Sequence, residues 1–89
     1  MFEICNYDLE YCKNAYRQIY RSFLFSMKIY GSHLIYRKKL LNDTLDKIDN
    51  LFEKHIRVGL VSGRLNSYYT DLIYNSYEEI TGERVIRRK

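Results

Sequence analysis

Few side chains in this sequence are of the types that carry out catalysis. The only histidines are His33 and His55, and the only cysteines are Cys5 and Cys12. A nucleophile needs a base and an orienting group beside it, and these four residues match neither that arrangement nor the spacing of a zinc motif. His55 also continues an apolar heptad pattern, where a histidine usually packs against its neighbours. We therefore predict no catalytic residue, no metal and no cofactor, and a protein that is not an enzyme.

The distribution of charge is more informative. Residues 11–42 contain seven Lys or Arg residues and no Asp or Glu, whereas residues 43–83 carry a net charge of −4. The formal net charge of the whole chain is only +4, so it hides this segregation. Tyrosines and phenylalanines alternate with the cations of 11–42. A basic surface with interleaved aromatics is typical of nucleic-acid binding, because Lys and Arg neutralise phosphates and Tyr stacks on unpaired bases.

Three helices account for the apolar periodicity, because apolar residues recur at steps of three and four along the chain. The first series is Leu9, Cys12, Tyr16, Ile19, Tyr20, Phe23, Met27 and Tyr30. The second is Leu34, Leu41, Leu45, Ile48, Phe52 and Ile56. The third is Leu65, Tyr69, Leu72, Ile73 and Ile80. We predict helices near 7–30, 33–58 and 64–81, the first two as a long antiparallel hairpin and the third packed across it.

The break between the first two helices depends on Gly31 and Ser32. Gly commonly ends a helix and Ser commonly caps the next one. The apolar phase nevertheless passes through the break, since a spacing of seven joins Tyr20, Met27, Leu34, Leu41, Ile48 and His55. A Gly inside a helix costs only about 1 kcal/mol, so 8–57 could also be one long helix covered by a partner. We favour the hairpin because so long a helix is rare.

Length and composition predict a single all-α domain over residues 1–89, with a basic tail at 84–89. A chain of 89 residues builds only a thin core, so we expect a homodimer. The N-terminus does not resemble a signal peptide, and no apolar run approaches the ~20 residues that span a bilayer. We therefore expect a location in the cytoplasm of a cell or host. The abundant Tyr, Ile, Lys and Asn have AT-rich codons, which fits a phage or virus among other AT-rich sources.

We expect nucleic acid, DNA or RNA, to bind the hairpin tip and the tail. Arg37, Lys38 and Lys39 would lie in the first turns of the second helix, where cations oppose the helix dipole, and no carboxylate is within reach in the sequence. Residues that locally destabilise a helix are commonly retained because they serve a function. The tail would reach along the backbone as a flexible arm. The candidate residues are Lys28, Tyr36, Arg37, Lys38, Lys39, Arg84, Arg87, Arg88 and Lys89.

Two observations weigh against a nucleic-acid interpretation. An antiparallel hairpin folded at Gly31 would bring Lys13 and Arg17 near acidic residues of the second helix (Asp46, Asp49 and Glu53), so exposed pairs worth about 0–1 kcal/mol each would neutralise them. A helix-turn-helix around Gly59 is also a poor match, because Lys54 and His55 occupy positions that should be apolar and small.

The alternative function is a protein-binding adaptor or inhibitor, encoded by a phage or virus and acting on a larger host or viral assembly. Phe25 is expected to be exposed, and the third helix is rich in tyrosine, a residue enriched at binding hot spots. The candidate interface residues are Phe25, Tyr68, Tyr74 and Tyr77.

Binding of segment 21–30 to an anionic membrane surface ranks last, because the apolar face of this segment is needed to pack the second helix. We therefore expect no membrane partner.

Overall fold

The structure, a computed structural model, describes residues 6–54 and 60–87. These residues form three α-helices, each packed against the other two, and contain no strand. The helices are α1 (Asn6–Tyr30), α2 (Leu34–Lys54) and α3 (Leu60–Thr81). The predicted all-α domain with a helical hairpin and a third helix is confirmed.

The turn at Gly31 decides between the hairpin and the single long helix. The Gly31 N–H donates to the Met27 carbonyl oxygen at 2.8 Å, and the His33 N–H donates to the Tyr30 carbonyl oxygen at 2.9 Å. A Cβ atom added at Gly31 would collide with the Met27 carbonyl oxygen. The chain therefore turns tightly at a position that favours glycine, and the alternative of one continuous helix is wrong.

The residue that caps α2 is His33, not Ser32 as the sequence pattern indicates. The Tyr36 N–H donates to His33 Nδ1 at 3.2 Å, and the Arg37 N–H donates to the His33 carbonyl oxygen at 2.9 Å. An imidazole nitrogen thus satisfies one of the backbone donors that a helix start leaves open. Ser32 lies one residue too early for its side chain to take this place.

The start of α3 differs from the prediction, because this helix begins at Leu60 rather than near residue 64. Gly63 lies in its first turn, so glycine is accommodated inside the helix instead of ending the preceding turn. The predicted end of the second helix at residue 58, together with His55 and Gly59, lies outside the described residues.

The core is formed by the three apolar faces, largely as the periodicity predicts. Its buried members are Cys12, Tyr16, Phe23, Met27, Leu41, Leu45, Ile48, Ile73, Tyr74 and Tyr77. Tyr30, Leu34 and Ile80 were expected in the core but are exposed. All three lie at helix ends beside the hairpin turn, where no further helix covers them.

Tyrosines dominate the contact between α1 and α3. The Tyr16 and Tyr69 rings are stacked, with centroids 5.6 Å apart and planes 9° apart. The Tyr20 hydroxyl and the Ser76 hydroxyl share a hydrogen bond of 2.8 Å. Because a hydrogen bond is directional whereas apolar contact is not, this pair fixes how far α1 lies along α3.

We expect Gly31→Ala to destabilise the fold by more than about 1 kcal/mol, because its backbone must move away from Met27. The matched control is Gly63→Ala, whose added Cβ meets nothing within 4 Å and which should stabilise α3 by up to about 1 kcal/mol. Urea unfolding followed by circular dichroism measures both. Equal or greater stability of Gly31→Ala would contradict the turn described here.

Candidate functional site

The side chain of Arg37 joins three helix ends. Its Nη1 donates to the Gly31 carbonyl oxygen at 3.2 Å, and its Nη2 donates to Glu83 Oε2 at 2.6 Å. Arg37 lies in the first turn of α2, Gly31 follows α1 and Glu83 follows α3, so one guanidinium holds the ends of all three helices together. The side chain is only 12% exposed. The prediction that Arg37 contacts nucleic acid has no support in this geometry, because an internal carbonyl and an internal carboxylate bind its two terminal nitrogens.

Glu83 contacts Arg37 in the fold although the two residues are far apart in the sequence. It also accepts from Lys38 Nζ at 3.2 Å. Hydrogen bonds from Arg37 and then Lys38 hold the pKa of Glu83 below its ordinary value of 4.5, against the opposing effect of burial. The bond to Glu83 in turn raises the pKa of Arg37. No carboxylate is near Arg37 in the sequence, but the fold brings Glu83 to the hairpin tip.

The buried Tyr77 hydroxyl lies beside the same guanidinium and contributes to the raised pKa of Arg37. The two groups do not meet the geometry of a hydrogen bond, and neither Tyr77 Oη nor Arg37 Nε has a hydrogen-bond partner among the described residues. The interior of α3 therefore borders the junction made by Arg37.

The remaining candidates at the tip do not form one cluster. Lys39 Nζ lies 3.9 Å from Asp43 on the next turn of α2, and both side chains are more than half exposed. The Tyr36 ring packs against the Tyr30 ring, with centroids 4.7 Å apart. Lys28 is exposed, and no ion pair joins it to any residue that the structure describes.

The C-terminal segment folds back along α3 instead of extending as an arm. Gly82 has a φ of +72°, the left-handed conformation that ends many helices. The Val85 N–H donates to Glu78 Oε2 at 3.1 Å, and Val85 packs against the core. Arg87 Nη2 donates to Asn75 Oδ1 at 2.7 Å.

Arg87 is held more firmly than its place in a basic tail indicates. Its Nη2 also lies 3.3 Å from Glu78 Oε1, and its guanidinium carbon lies 4.8 Å from the centre of the Tyr74 ring. The predicted flexible arm is therefore wrong up to Arg87. Arg84 is exposed, whereas Arg88 and Lys89 lie outside the described residues.

The four candidate residues for a protein interface divide into two pairs. Phe25 and Tyr68 are exposed, at 65% and 59%. Tyr74 and Tyr77 are fully buried in the core, so the prediction that their rings contact a partner is corrected. The cause is that α3 packs against two helices at once and so buries a wider face than the single stripe that we assigned to it.

The residues with catalytic potential are also accounted for. His33 caps α2 and Cys12 is buried in the core, while Cys5 and His55 lie outside the described residues. Within 6–54 and 60–87 no group of His, Cys, Asp and Glu could hold a metal ion. The same residues include no helix long and apolar enough to cross a bilayer.

A row of cations remains on the outer face of α1. It consists of Arg17, Arg21 and Lys28, which we call the α1 basic row, and which lie within about 40° of one another around the helix at 100° per residue. All three are exposed. In the described part of the chain they make no ion pair, and the one hydrogen bond recorded for Arg17 is a long one of 3.5 Å to Asn14. The predicted pairing of Arg17 with acidic residues of α2 is not found there.

A second surface at the hairpin turn was not recognised in the sequence. Large apolar side chains of all three helices are exposed together there, and we call them the hairpin-tip patch. Its members are Ile29, Tyr30, Leu34, Ile35, Tyr36 and Ile80. The sequence signal was the run Leu34-Ile35-Tyr36, because three consecutive residues of a helix cannot all face the core.

Comparison of the chain with known protein families, with characterised proteins and with solved structures finds no match in any of the three. The charges and exposed surfaces described above are therefore the basis for a functional proposal.

We expect acid to destabilise the protein through Glu83. Because the pKa of Glu83 is lower in the folded chain than its ordinary value of 4.5, the unfolded chain binds more protons between those two values. The stability that this group contributes is present above pH 4.5 and is lost as the pH falls through the folded pKa. Glu83→Gln removes the titrating group, so its stability should depend less on pH in this range.

Urea unfolding at about pH 6 and in steps down to about pH 3 measures this dependence. Glu79→Gln is the matched control, since Glu79 is exposed on the last turns of α3 and should leave the acid sensitivity of the wild type unchanged. An acid-induced loss as large in Glu83→Gln as in the wild type would show that the junction with Arg37 does not carry the effect.

Proposed function

We propose that this protein is a small non-enzymatic regulatory protein that binds nucleic acid through the exposed face of α1. The observation that carries the proposal is the α1 basic row: Arg17, Arg21 and Lys28 are exposed and form no ion pair with any described residue. We therefore propose a contact on the side of the first helix, whereas the sequence pattern favours the hairpin tip and the tail.

The chemistry of the row suits a phosphate backbone. Eleven residues separate its ends, which is about 16 Å along a helix, so several phosphates are within reach. Arg binds phosphate with two parallel hydrogen bonds, and each phosphate that is neutralised releases counterions. The exposed ring of Phe25 lies between Arg21 and Lys28 in the chain and provides a flat surface on which an unpaired base can stack.

The exposed side of α2 carries the mixture of positive and negative side chains that is ordinary for a solvated helix face. There the cations Lys47 and Lys54 are interspersed with exposed carboxylates of Asp43, Asp46 and Glu53. On α1 no Asp or Glu occurs between residues 11 and 30. Like charges one turn apart cost about 0.2–0.5 kcal/mol, and the chain keeps such a pair at Arg17 and Arg21 without compensation. Binding to a polyanion explains this arrangement, since it neutralises both charges.

The triple variant Arg17→Gln, Arg21→Gln and Lys28→Gln tests the row. Fluorescence anisotropy should be measured with duplex DNA, single-stranded DNA and structured RNA at about 50 and 200 mM salt. For duplex DNA, three lost phosphate contacts lower the salt slope by about 2.7, so wild-type affinity should fall about 40-fold more across this range than that of the variant. All three residues are exposed, and helix content should be unchanged.

A second triple variant, Lys39→Gln, Lys47→Gln and Lys54→Gln, removes the same charge from the exposed side of α2 and should bind almost as the wild type does. If both triple variants weaken nucleic-acid binding equally, the affinity depends only on net charge, and the row is rejected as a contact surface. Absence of binding by the wild type at low salt would reject the function itself.

The homodimer and the cytoplasmic location stay predictions. A sedimentation mass of one chain at micromolar concentration would contradict the dimer.

A further inference from the structure

The hairpin-tip patch is a second surface, and among the cations around it only Lys28 also belongs to the α1 basic row. Its most exposed members are Leu34 and Ile35, at 70% and 81%, in the first turn of α2. Ile80 of α3 lies beside the same turn, with its Cγ2 3.5 Å from the position that a Cβ on Gly31 would take, and the Tyr30 and Tyr36 rings pack together there. A group of exposed apolar side chains on a small protein is a candidate interaction site, because isolated apolar residues are common on surfaces and groups of them are not.

The patch is held in place by the junction beneath it. Arg37 binds both the turn at Gly31 and the residue that follows α3, Glu83, and His33 caps the helix that carries Leu34 and Ile35. A partner that binds a surface already fixed in this way loses little conformational entropy on ordering it. The patch is therefore built for recognition rather than being a loosely packed helix end.

The charges around the patch show which partner fits. Lys28 precedes Ile29 in the chain, Lys39 lies one helical turn after Ile35, and Arg84 follows Glu83; all three are exposed. The Lys38 side chain is 56% exposed although it shares Glu83 with Arg37. Asp43 approaches Lys39 no closer than 3.9 Å, and Glu79 beside Ile80 adds one negative charge, which leaves the rim positive. A second copy of the chain would bring two positive rims together, whereas a partner with carboxylates would complement them.

We propose that the hairpin-tip patch docks a protein segment whose apolar side chains are flanked by carboxylates, in the form of an acidic amphipathic helix. Such a helix presents apolar residues at positions i, i+3 or i+4, and i+7, which would cover the patch while its acidic flanks meet the lysines. An anionic membrane is the weaker fit. Recognition of such lipids typically uses clusters of about four to eight cations, whereas two of the four rim cations, Lys38 and Lys39, already lie close to Glu83 and Asp43.

A selection from a library of random 16-residue peptides displayed on phage tests the proposal. The full chain is the target, and Leu34→Ser with Ile35→Ser is the counter-target; these two side chains are exposed, so the core is untouched. We expect peptides retained only by the wild type to carry an excess of Asp and Glu and apolar residues at helical spacing. In anisotropy titrations, a synthetic copy of an enriched peptide should bind the double variant at least tenfold more weakly.

Charge variants test whether the cations around the patch, rather than cations elsewhere on the surface, contribute to peptide binding. Lys39→Gln with Arg84→Gln should weaken peptide binding severalfold, whereas Lys47→Gln with Lys54→Gln, on the side of α2, should leave it unchanged. Nucleic-acid binding should be the same in Leu34→Ser with Ile35→Ser as in the wild type, so failure here and failure of the proposed function are distinguishable.

Several outcomes would overturn the proposal. A selection that yields no peptides able to distinguish the wild type from the double variant, or only peptides without acidic excess, contradicts it. Self-association that disappears in the double variant, measured by sedimentation, would assign the patch to a second copy of the chain. Co-sedimentation with vesicles of anionic phospholipid that disappears in the same variant would assign it to a membrane surface.

Discussion

The fold depends on the guanidinium of Arg37, which touches the turn after α1 and the residue after α3 from its place in the first turn of α2. A planar fork with several donors can bind a carbonyl and a carboxylate at once, and here the carbonyl belongs to Gly31 and the carboxylate to Glu83. Arg37 and Glu83 are 46 residues apart in the sequence. This junction forms only when the hairpin and α3 are both in place, so it ties the completion of the bundle to the geometry of its turn.

The junction also determines which charges remain for binding. It commits Glu83 to Arg37 and Lys38, and a separate contact commits Arg87 to Glu78. The two surfaces proposed for binding lie on different parts of a bundle that measures 50 × 24 × 17 Å. The α1 basic row runs along a side of this elongated body, and the hairpin-tip patch lies at the helix ends joined by the turn. A side of a helix suits a linear polyanion, and a small apolar end suits a partner with a matching depression or helix face.

Local pattern predicted the helices because helix formation depends on neighbours three and four residues away. Met27 and Ile48 were placed in the core for that reason. The pattern could not predict that Glu83 neutralises Arg37, since pairs distant in sequence leave no periodic signal. It also missed the burial of Tyr74 and Tyr77, because the width of an apolar face depends on how many helices pack against it. The tail was misjudged because the left-handed turn at Gly82 redirects the chain back onto α3.

The tyrosine contact between α1 and α3 has an optical consequence. The chain has ten tyrosines and no tryptophan, so tyrosine dominates its near-ultraviolet absorption. The parallel rings of Tyr16 and Tyr69 and the hydrogen-bonded hydroxyl of Tyr20 lie in fixed, asymmetric surroundings, which give aromatic rings a near-ultraviolet circular dichroism signal that is lost when packing loosens. The interface thus contains its own spectroscopic reporter, through which separation of α1 from α3 can be distinguished from loss of helix without any added label.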